Sequence, residues 1–187
     1  MKQLILASAS PRRKQLLEEA GFSFTIKVSD AESSPQKGLS PEKFAVSCAI
    51  EKAEDIFKGV ADDGVVVLGA DTVVCLDGVI LGKPNGKEQA EQMLKNLSGK
   101  THQVITGYAI LSKGMRETGK VITKVKFFDL DEKTLDDYLK SGLWQGKAGA
   151  YGIQDGFKLV ESYDGDYDNV VGLPVKALKS TIEEFLK

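Results

Sequence analysis

The chain has 187 residues, 42% of them hydrophobic and 28% charged, and this balance predicts one compact α/β domain over residues 1–187, or two closely packed lobes. Lysine and arginine number 25 against 27 aspartates and glutamates, so the net charge of -2 provides no overall basic field and disfavours a nucleic-acid partner. No apolar run approaches the roughly 18 residues of a membrane span, and the N-terminal run is too short for a signal peptide, so we expect a cytoplasmic protein.

The first predicted elements are a short buried strand at residues 4–7 and a helix that follows a turn of small residues. Ser10 is a candidate N-cap, and Pro11 suits the first helical position. Free N–H groups at such a turn favour anions, and Arg12 and Arg13 add bidentate donors for phosphate oxygens. The turn therefore predicts a phosphate site. The alternative is an ordinary capped helix with solvated arginines.

A half-buried strand is predicted at residues 22–28, because apolar and polar residues alternate there. It leads into a polar loop that contains Glu32. A second helix opens at Ser40 and keeps apolar residues at helical spacing until Gly59. Lys52 falls near the apolar stripe of this helix.

The most informative stretch is the apolar run at residues 65–74, which Asp71 interrupts. Its residues do not alternate with polar ones, which is typical of a strand buried on both faces. An unpaired charge taken out of water is costly, so Asp71 must either meet a cation or lie at the mouth of a cleft. The alternative is a structural aspartate that caps the next turn.

The dipeptide Asp77-Gly78 lies between two apolar runs and predicts a tight β-hairpin. The returning arm leads to Lys83, so the hairpin brings this lysine back towards the strand that carries Asp71. Three regular elements are predicted next: a helix at residues 87–97 and two antiparallel strands at residues 103–111 and 120–130, joined by a polar loop.

Two common nucleotide-binding motifs are excluded. Residues 98–101 imitate the end of a P-loop, but Leu94 stands where its first glycine would have to be, and no G-x-G-x-x-G occurs. His102 is the only histidine, which excludes a multi-histidine metal centre, and its apolar surroundings favour a packed or surface side chain. Cys48 and Cys75 are predicted to be buried free thiols.

A glycine-rich segment at residues 147–154 suits close approach to a flat polar ligand such as the edge of a base. Gln154 would offer an amide to that edge, with Lys147 nearby for phosphate. The alternative is an edge strand with glycine bends.

The C-terminal part is predicted as a hairpin followed by a helix. Residues 157–163 and 167–171 flank a polar turn at residues 164–166, and Pro174 starts the terminal helix. The aspartates of the turn lack the glycine and glutamate of a calcium loop, so a solvated turn is the better interpretation.

Six blocks of the chain, in this order, closely resemble the Maf family of nucleotide pyrophosphatases. They are LASASPRR at 6–13, LGADT at 68–72, GKP at 82–84, LSGKTH at 97–102, KAGAYGIQ at 147–154 and VGLP at 171–174. The resemblance implies an α/β fold like that of inosine triphosphate pyrophosphatases, with an elongated mixed β-sheet flanked by helices and two lobes around a central cleft. It also implies hydrolysis of a nucleoside triphosphate between the α and β phosphates, with a divalent metal cation, Mg²⁺ or Mn²⁺, as cofactor.

The resemblance also assigns roles to individual positions. Asp71 corresponds to the family's proton acceptor and, together with Glu32, to a metal ligand. Arg12, Thr72 and Gln154 correspond to positions linked with substrate choice, and their identities favour the branch acting on dTTP and UTP over the branch acting on 7-methyl-GTP. The predicted phosphate-binding residues are Ser8, Ser10, Arg12, Arg13, Lys52 and Lys83.

Two positions depart from the family's pattern. Relatives often carry paired acids where this chain has Asp30-Ala31-Glu32-Ser33, and an aspartate is common where Gly146 precedes Lys147. The first departure concerns metal ligation by Glu32. The second concerns the role of Lys147.

These observations combine into one hypothesis, in which Asp71 orients and deprotonates a water that attacks the α-phosphorus while cations hold the triphosphate. The alternative is a nucleotide-binding regulator of cell division or septum formation with little turnover, and metal-dependent turnover distinguishes the two. The expected partners are a nucleoside triphosphate substrate and, as is common among relatives, a second copy of the chain in a homodimer. Neither nucleic acid nor a membrane is expected.

Overall fold

The computed structural model describes residues 2–31, 38–60 and 63–187. Its strands are β1 (Gln3–Leu6), β2 (Phe24–Ile26), β3 (Val65–Leu76), β4 (Val79–Leu81), β5 (Thr101–Ser112), β6 (Met115–Phe127) and β7 (Val160–Asp164). Its helices are α1 (Pro11–Glu19), α2 (Pro41–Val60), α3 (Lys87–Leu97), α4 (Glu132–Ser141), α5 (Tyr167–Val171) and α6 (Val175–Phe185), with a 3₁₀ turn at Ala148–Ala150.

The strands form one mixed sheet in the order β2-β1-β3-β5-β6-β7, and β4 pairs with β3 as well. β1 lies parallel to β2 and to β3, whereas the remaining pairs are antiparallel. The two parallel pairs are joined by crossovers that contain α1 and α2, as parallel strands require. The predicted α/β class with an elongated mixed sheet is therefore confirmed.

One face of the sheet carries two separate groups of helices. α1 and α6 pack over the start of β3, where Leu68 and Ala70 belong to their apolar core. α3 and α4 pack over its end, where Val74 and Leu76 belong to a second core. Thr72 lies between the two groups, because alternate residues of a strand share one face. This division produces two lobes with a cleft between them, as the family resemblance implies.

The opposite face is covered by α2, which lies in backbone contact with the sheet. A Cβ atom at Gly69 would lie 2.4 Å from the carbonyl oxygen of Ala49, and one at Gly107 would lie 2.3 Å from that of Ala45. Such an approach requires glycine on the strand, because any side chain would overlap the helix backbone. The contact fixes the distance between α2 and the sheet and therefore the position of Lys52 over β3.

The predicted C-terminal hairpin is wrong, because its second arm is the helix α5. The Asp166 carboxylate accepts hydrogen bonds from the backbone N–H groups of Asp168 (2.7 Å) and Asn169 (3.2 Å) and so caps this helix. The side-chain amide of Asn169 donates to the carbonyl of Val104 and is fully buried. β7 pairs instead with β6.

Other predicted elements are confirmed with changes in length. The Asp77-Gly78 turn has φ values of 51° and 82°, as a type I′ hairpin requires. The strand expected from residue 120 begins at Met115, because only residues 113–114 are needed to reverse the chain. The strand expected at residues 22–28 is shorter, with β2 forming a sheet edge. Both cysteines are buried, as predicted, and no helix in the described ranges is long and apolar enough to cross a membrane.

Candidate active site

The candidate site lies where one edge of β3 is left open between β1 and β4. β1 pairs with β3 as far as Leu68, and β4 pairs with it from Val74 onward. The N–H of Ala7 donates to the carbonyl of Leu68, so the two-residue alternation of a strand points the backbone groups of Ala70 and Thr72 into the gap. A cleft of about 750 Å³ opens at this gap.

Most of the residues predicted to be functional line this cleft. They come from the turn before α1, from the first turn of α1, from α2, from β3, from the segment after β4 and from the loop before β7, and they are Ser8, Ser10, Arg12, Arg13, Lys52, Asp71, Thr72, Lys83 and Gln154. Glu32, the further predicted metal ligand, lies outside the described residues. The fold thus gathers side chains that are far apart in the sequence.

Asp71 both meets a cation and lies in the cleft. The ammonium group of Lys52 forms an ion pair with Oδ1 of Asp71. The Asp71 side chain is 20% exposed and that of Lys52 is 24% exposed, so both groups remain within reach of a ligand. The close packing of α2 on the sheet brings the lysine to this carboxylate, and the structural-cap alternative for Asp71 is not needed.

Arg13 is buried and holds three segments together. Its Nε donates to the carbonyl of Gly172 (2.8 Å), and its two terminal nitrogens donate to the hydroxyls of Ser8 (3.1 Å) and Thr72 (3.0 Å). Burial lowers the pKa of this arginine, an effect that the charge of Asp71 partly offsets. Arg13 therefore joins α1 to β3 and to the segment before α6, and only its remaining N–H hydrogens are available to a phosphate.

The turn before α1 uses part of its hydrogen-bonding capacity internally. Ser10 caps the helix by accepting from the N–H of Arg13, as predicted. Its own N–H donates to the hydroxyl of Ser8 (3.2 Å). The Ser8 hydroxyl accepts two hydrogen bonds, which leaves its proton for a further acceptor such as a phosphate oxygen. The Ser8 hydroxyl and the cleft-lining Arg12 are the groups of this turn best placed to bind an anion.

The Thr72 hydroxyl is surrounded by protein groups. It accepts from Arg13, lies 3.1 Å from the carbonyl oxygen of Gly172 and lies 2.9 Å from the hydroxyl of Thr106. Sequence reasoning missed Thr106 of β5, because nothing in the sequence near it indicates the contact with Thr72. The side chain of Thr72 therefore supports Arg13, while its backbone faces the gap.

The cleft is cationic although the chain as a whole is weakly acidic. Among its described lining residues, Asp71 is the one carboxylate. The five positively charged residues are Arg12, Arg13, Lys52, Lys83 and Lys147. Such a local concentration of positive charge attracts anions even when the net charge is negative. The positive charge of the cleft is complementary to the negative charge of a polyphosphate.

The described part of the cleft contains one carboxylate that could serve as a ligand of a divalent metal. Mg²⁺ in nucleotide-cleaving sites is commonly held by one or two carboxylates together with phosphate oxygens and waters. Within the described ranges no three histidine, cysteine, aspartate or glutamate side chains form a ligand group. The partly exposed carboxylate of Asp71 supplies a hard oxygen ligand of the required type at the cleft.

The glycine-rich segment is a looped wall of the cleft and not an edge strand. Gly149 within the 3₁₀ turn has φ +66°, and a Cβ there would lie 3.0 Å from the methyl groups of Val74. Lys147, predicted to face a phosphate, forms an ion pair with Asp155. Sequence reasoning missed Asp155, although it directly follows Gln154.

His102 is a packed side chain, as predicted. Its Nε2 lies 2.7 Å from the hydroxyl of Tyr151, and its ring meets that of Phe127 edge to face. Burial lowers the pKa of His102 to about 4, so the imidazole is neutral near pH 7. In the preceding turn, the Ser98 hydroxyl accepts from the N–H of Leu130 (2.8 Å), which gives this P-loop-like motif a structural role.

Comparison with known proteins identifies relatives along nearly the whole chain. The family model described as "Maf-like protein" matches residues 3–185. The dTTP/UTP pyrophosphatase of Bacillus pumilus is 46% identical over 186 residues, covering 99% of this chain and 97% of that protein. The dTTP/UTP pyrophosphatase of Bacillus cereus is 45% identical, covering 99% and 96%. Among solved structures, the Staphylococcus aureus Ham1 protein aligns with a TM-score of 0.47 and 15% identity over 68% of this chain and 73% of that chain.

Proposed function

The chain belongs to the Maf-like protein family, and from this membership we propose that it hydrolyses dTTP and UTP to the nucleoside monophosphates and pyrophosphate. It is a nucleoside triphosphate pyrophosphatase, a hydrolase acting on an acid anhydride. One structural observation carries the proposal: a single carboxylate, Asp71, lies among the described residues of a cleft lined by five cationic side chains. A polyphosphate needs the cations, and attack by water needs the carboxylate.

The triphosphate would bind between the two sides of the open strand edge. On one side are the proton of the Ser8 hydroxyl and the guanidinium of Arg12. On the other side is Lys83, which the β3–β4 hairpin returns to the cleft. Charge-assisted hydrogen bonds from both sides would fix the α-phosphorus near Asp71.

Asp71 is the proposed general base. Lys52 holds its carboxylate in one orientation, so that a water between Asp71 and the α-phosphorus can lose its proton to the carboxylate as it attacks in line. The bond to the bridging oxygen then breaks, and pyrophosphate leaves with its charge stabilised by the neighbouring lysines and arginines. A bound Mg²⁺ or Mn²⁺ would neutralise phosphate charge and make the water more acidic; Asp71, together with the predicted ligand Glu32, would hold it.

Base selection is assigned to Gln154, Arg12 and Thr72. The Gln154 amide presents both a donor and an acceptor at the cleft, which suits the imide edge of uracil or thymine. Thr72 contributes its gap-facing backbone, and its hydroxyl fixes Arg13. These assignments rest on the resemblance and on the presence of all three residues in one cleft.

The experiment that tests the proposal measures pyrophosphate release from dTTP, UTP, ATP and GTP, with and without Mg²⁺ or Mn²⁺. We expect metal-dependent turnover of dTTP and UTP above the purine nucleotides. We expect Asp71→Asn to lower kcat by at least about 100-fold, while calorimetry shows dTTP binding within a few-fold of the wild type. Asp77→Asn, an exposed change in the neighbouring turn, is the matched control and should leave turnover unchanged.

Each other outcome has a separate meaning. Lost binding with unimpaired residual chemistry in Asp71→Asn would contradict the role of this residue. Preference for a purine nucleotide would retain the enzyme class but refute the assignment of Gln154, Arg12 and Thr72. Binding of several nucleotides without cleavage of any would favour the nucleotide-binding regulator. The homodimer and the cytoplasmic location stay predictions, and sedimentation analysis of the full chain tests the first.

A further inference from the structure

A buried carboxylate lies behind the cleft wall that carries Gln154. The Asp155 side chain is 6% exposed and forms an ion pair with Lys147, whose side chain is 11% exposed. Its Oδ2 accepts hydrogen bonds from the hydroxyl of Tyr138 (2.7 Å) and from the N–H of Gly152 (2.9 Å). We call Asp155, Lys147, Tyr138 and Gly152 the Asp155 network.

The Asp155 network ties both ends of the wall to the core of one lobe. Lys147 precedes the 3₁₀ turn, Gly152 and Asp155 follow it, and Tyr138 projects from α4 into the apolar core beneath. Burial and the hydrogen bond to Asp155 raise the pKa of Tyr138 far above its ordinary value, so its hydroxyl keeps the proton that it donates. The loop is therefore closed on itself and anchored to a helix.

Two features of the loop accommodate the Asp155 carboxylate at this position. A Cβ at Gly152 would lie 2.7 Å from Oδ1 of Asp155, so glycine is required for the carboxylate to come this close. Gly146 leaves Lys147 without a carboxylate as its preceding neighbour, and Asp155 supplies one from the far end of the loop. Removing either charge would leave the other buried and unpaired.

The cleft-facing side of the loop depends on this anchoring. Gln154 is exposed and lines the cleft, and it lies between Gly152 and Asp155, which are both in the network. Tyr151, the other large side chain of the wall, is held separately by its hydrogen bond with His102. Asp155 therefore fixes the backbone conformation on both sides of Gln154.

We propose that Asp155 is a positioning residue for base selection, which fixes the loop so that the Gln154 amide meets the pyrimidine edge. This inference rests on the proposed function of the cleft. Asp155 acts through Gln154 and touches neither the triphosphate nor the attacking water. Its loss should therefore weaken recognition of the base while the chemistry at Asp71 continues, because preorganised contacts are lost only at one end of the substrate.

The test compares Asp155→Asn and the milder Tyr138→Phe with the wild type. We expect Asp155→Asn to raise KM for dTTP and UTP about tenfold with kcat changed less than about threefold, and Tyr138→Phe to raise KM by about threefold. Inorganic tripolyphosphate, which carries the three phosphates without a base, should compete with dTTP and should bind both variants within about twofold of the wild type. Asp137→Asn, which removes an exposed ion pair on α4, is the matched control.

The outcomes separate this inference from a purely structural role and from the proposed function. Equal weakening of tripolyphosphate and dTTP binding, or a fall in kcat with unchanged KM, would overturn it. If Asp155→Asn does not fold, Tyr138→Phe decides by the same comparison, and unchanged KM in that folded variant would overturn the inference. If the wild type cleaves no nucleotide, the proposed function fails first, and tripolyphosphate and dTTP binding still test the role of Asp155.

Discussion

The contact between α2 and β3 predicts that a single added methyl group at Gly69 will impair both stability and catalysis. In Gly69→Ala the new Cβ would lie 2.4 Å from the carbonyl oxygen of Ala49 and 2.8 Å from the Cβ of Ala53. Ordinary carbon contacts begin at about 3.5 Å, so α2 would have to move away from β3 by about 1 Å. Lys52 lies on the same stretch of this helix and would move away from Asp71.

The expected effects follow from that displacement. Overpacking of this kind costs about 1–3 kcal/mol of unfolding free energy. For a chain of this length, each kcal/mol lowers Tm by roughly 2–4 °C. A shift of about 1 Å at the Lys52–Asp71 pair should lower kcat/KM for dTTP by about 10- to 100-fold.

Thermal denaturation followed by circular dichroism and steady-state pyrophosphate release measure the two effects. Gly59→Ala is the matched control, because Gly59 is in the same helix and has no atom within 4 Å of the position that a Cβ would take. That change should raise the unfolding free energy by about 0.5–1 kcal/mol and leave turnover unchanged. If Gly69→Ala matches the wild type in both measurements, or if Gly59→Ala is equally impaired, the argument from close packing is wrong.

Two further predictions concern buried polar groups. Because burial lowers the pKa of His102 to about 4 from 6.5, the unfolded chain binds a proton between these values that the folded chain does not. The unfolding free energy should therefore fall by about 3 kcal/mol in total as the pH falls through this window. In His102→Gln, the unfolding free energy measured by urea denaturation should depend less on pH than in the wild type. If the two proteins show parallel pH profiles, this prediction is wrong. Thr72→Val leaves a terminal nitrogen of the buried Arg13 without its partner and should cost about 1–3 kcal/mol by urea denaturation and lower kcat/KM. The exposed change Thr25→Val is its control, and equal stability of the two variants would refute the role of the hydroxyl.

Local sequence patterns determined the elements and several of the site residues. Ser10 was recognised as an N-cap because its hydroxyl, its proline neighbour and the helix lie within a few residues of one another. Asp71 stood out because a carboxylate within a buried apolar strand has few acceptable surroundings, and the structure provides both a cation and a cleft. The strand does not end at Asp71 but continues to Leu76. Other roles, such as that of Gln154, came from the resemblance, because one amide in a glycine-rich segment has no distinctive pattern of its own.

The same local patterns misjudged residues whose partners are distant. The capping role of Asp166 was missed because the apolar residues that follow it, Tyr167, Val170 and Val171, suit a strand as well as a short helix. Lys147 was placed at a phosphate because nothing in the adjacent sequence indicates its pairing with Asp155. Arg13, predicted to bind phosphate, is largely occupied by contacts within the protein.

By itself the sequence determined the α/β class and most element boundaries, and with the family resemblance it predicted residues that line one cleft in the structure. Only the tertiary structure decided how these residues divide their tasks: Lys52 holds Asp71, Arg13 joins α1 to Gly172, and the Asp155 network supports the wall that carries Gln154. The physical reason is the separation along the chain between a residue and its partner. Helix caps and turns are satisfied within about four residues along the chain, whereas the bond from Arg13 to Gly172 spans 159 residues and forms only when the sheet and both lobes are assembled.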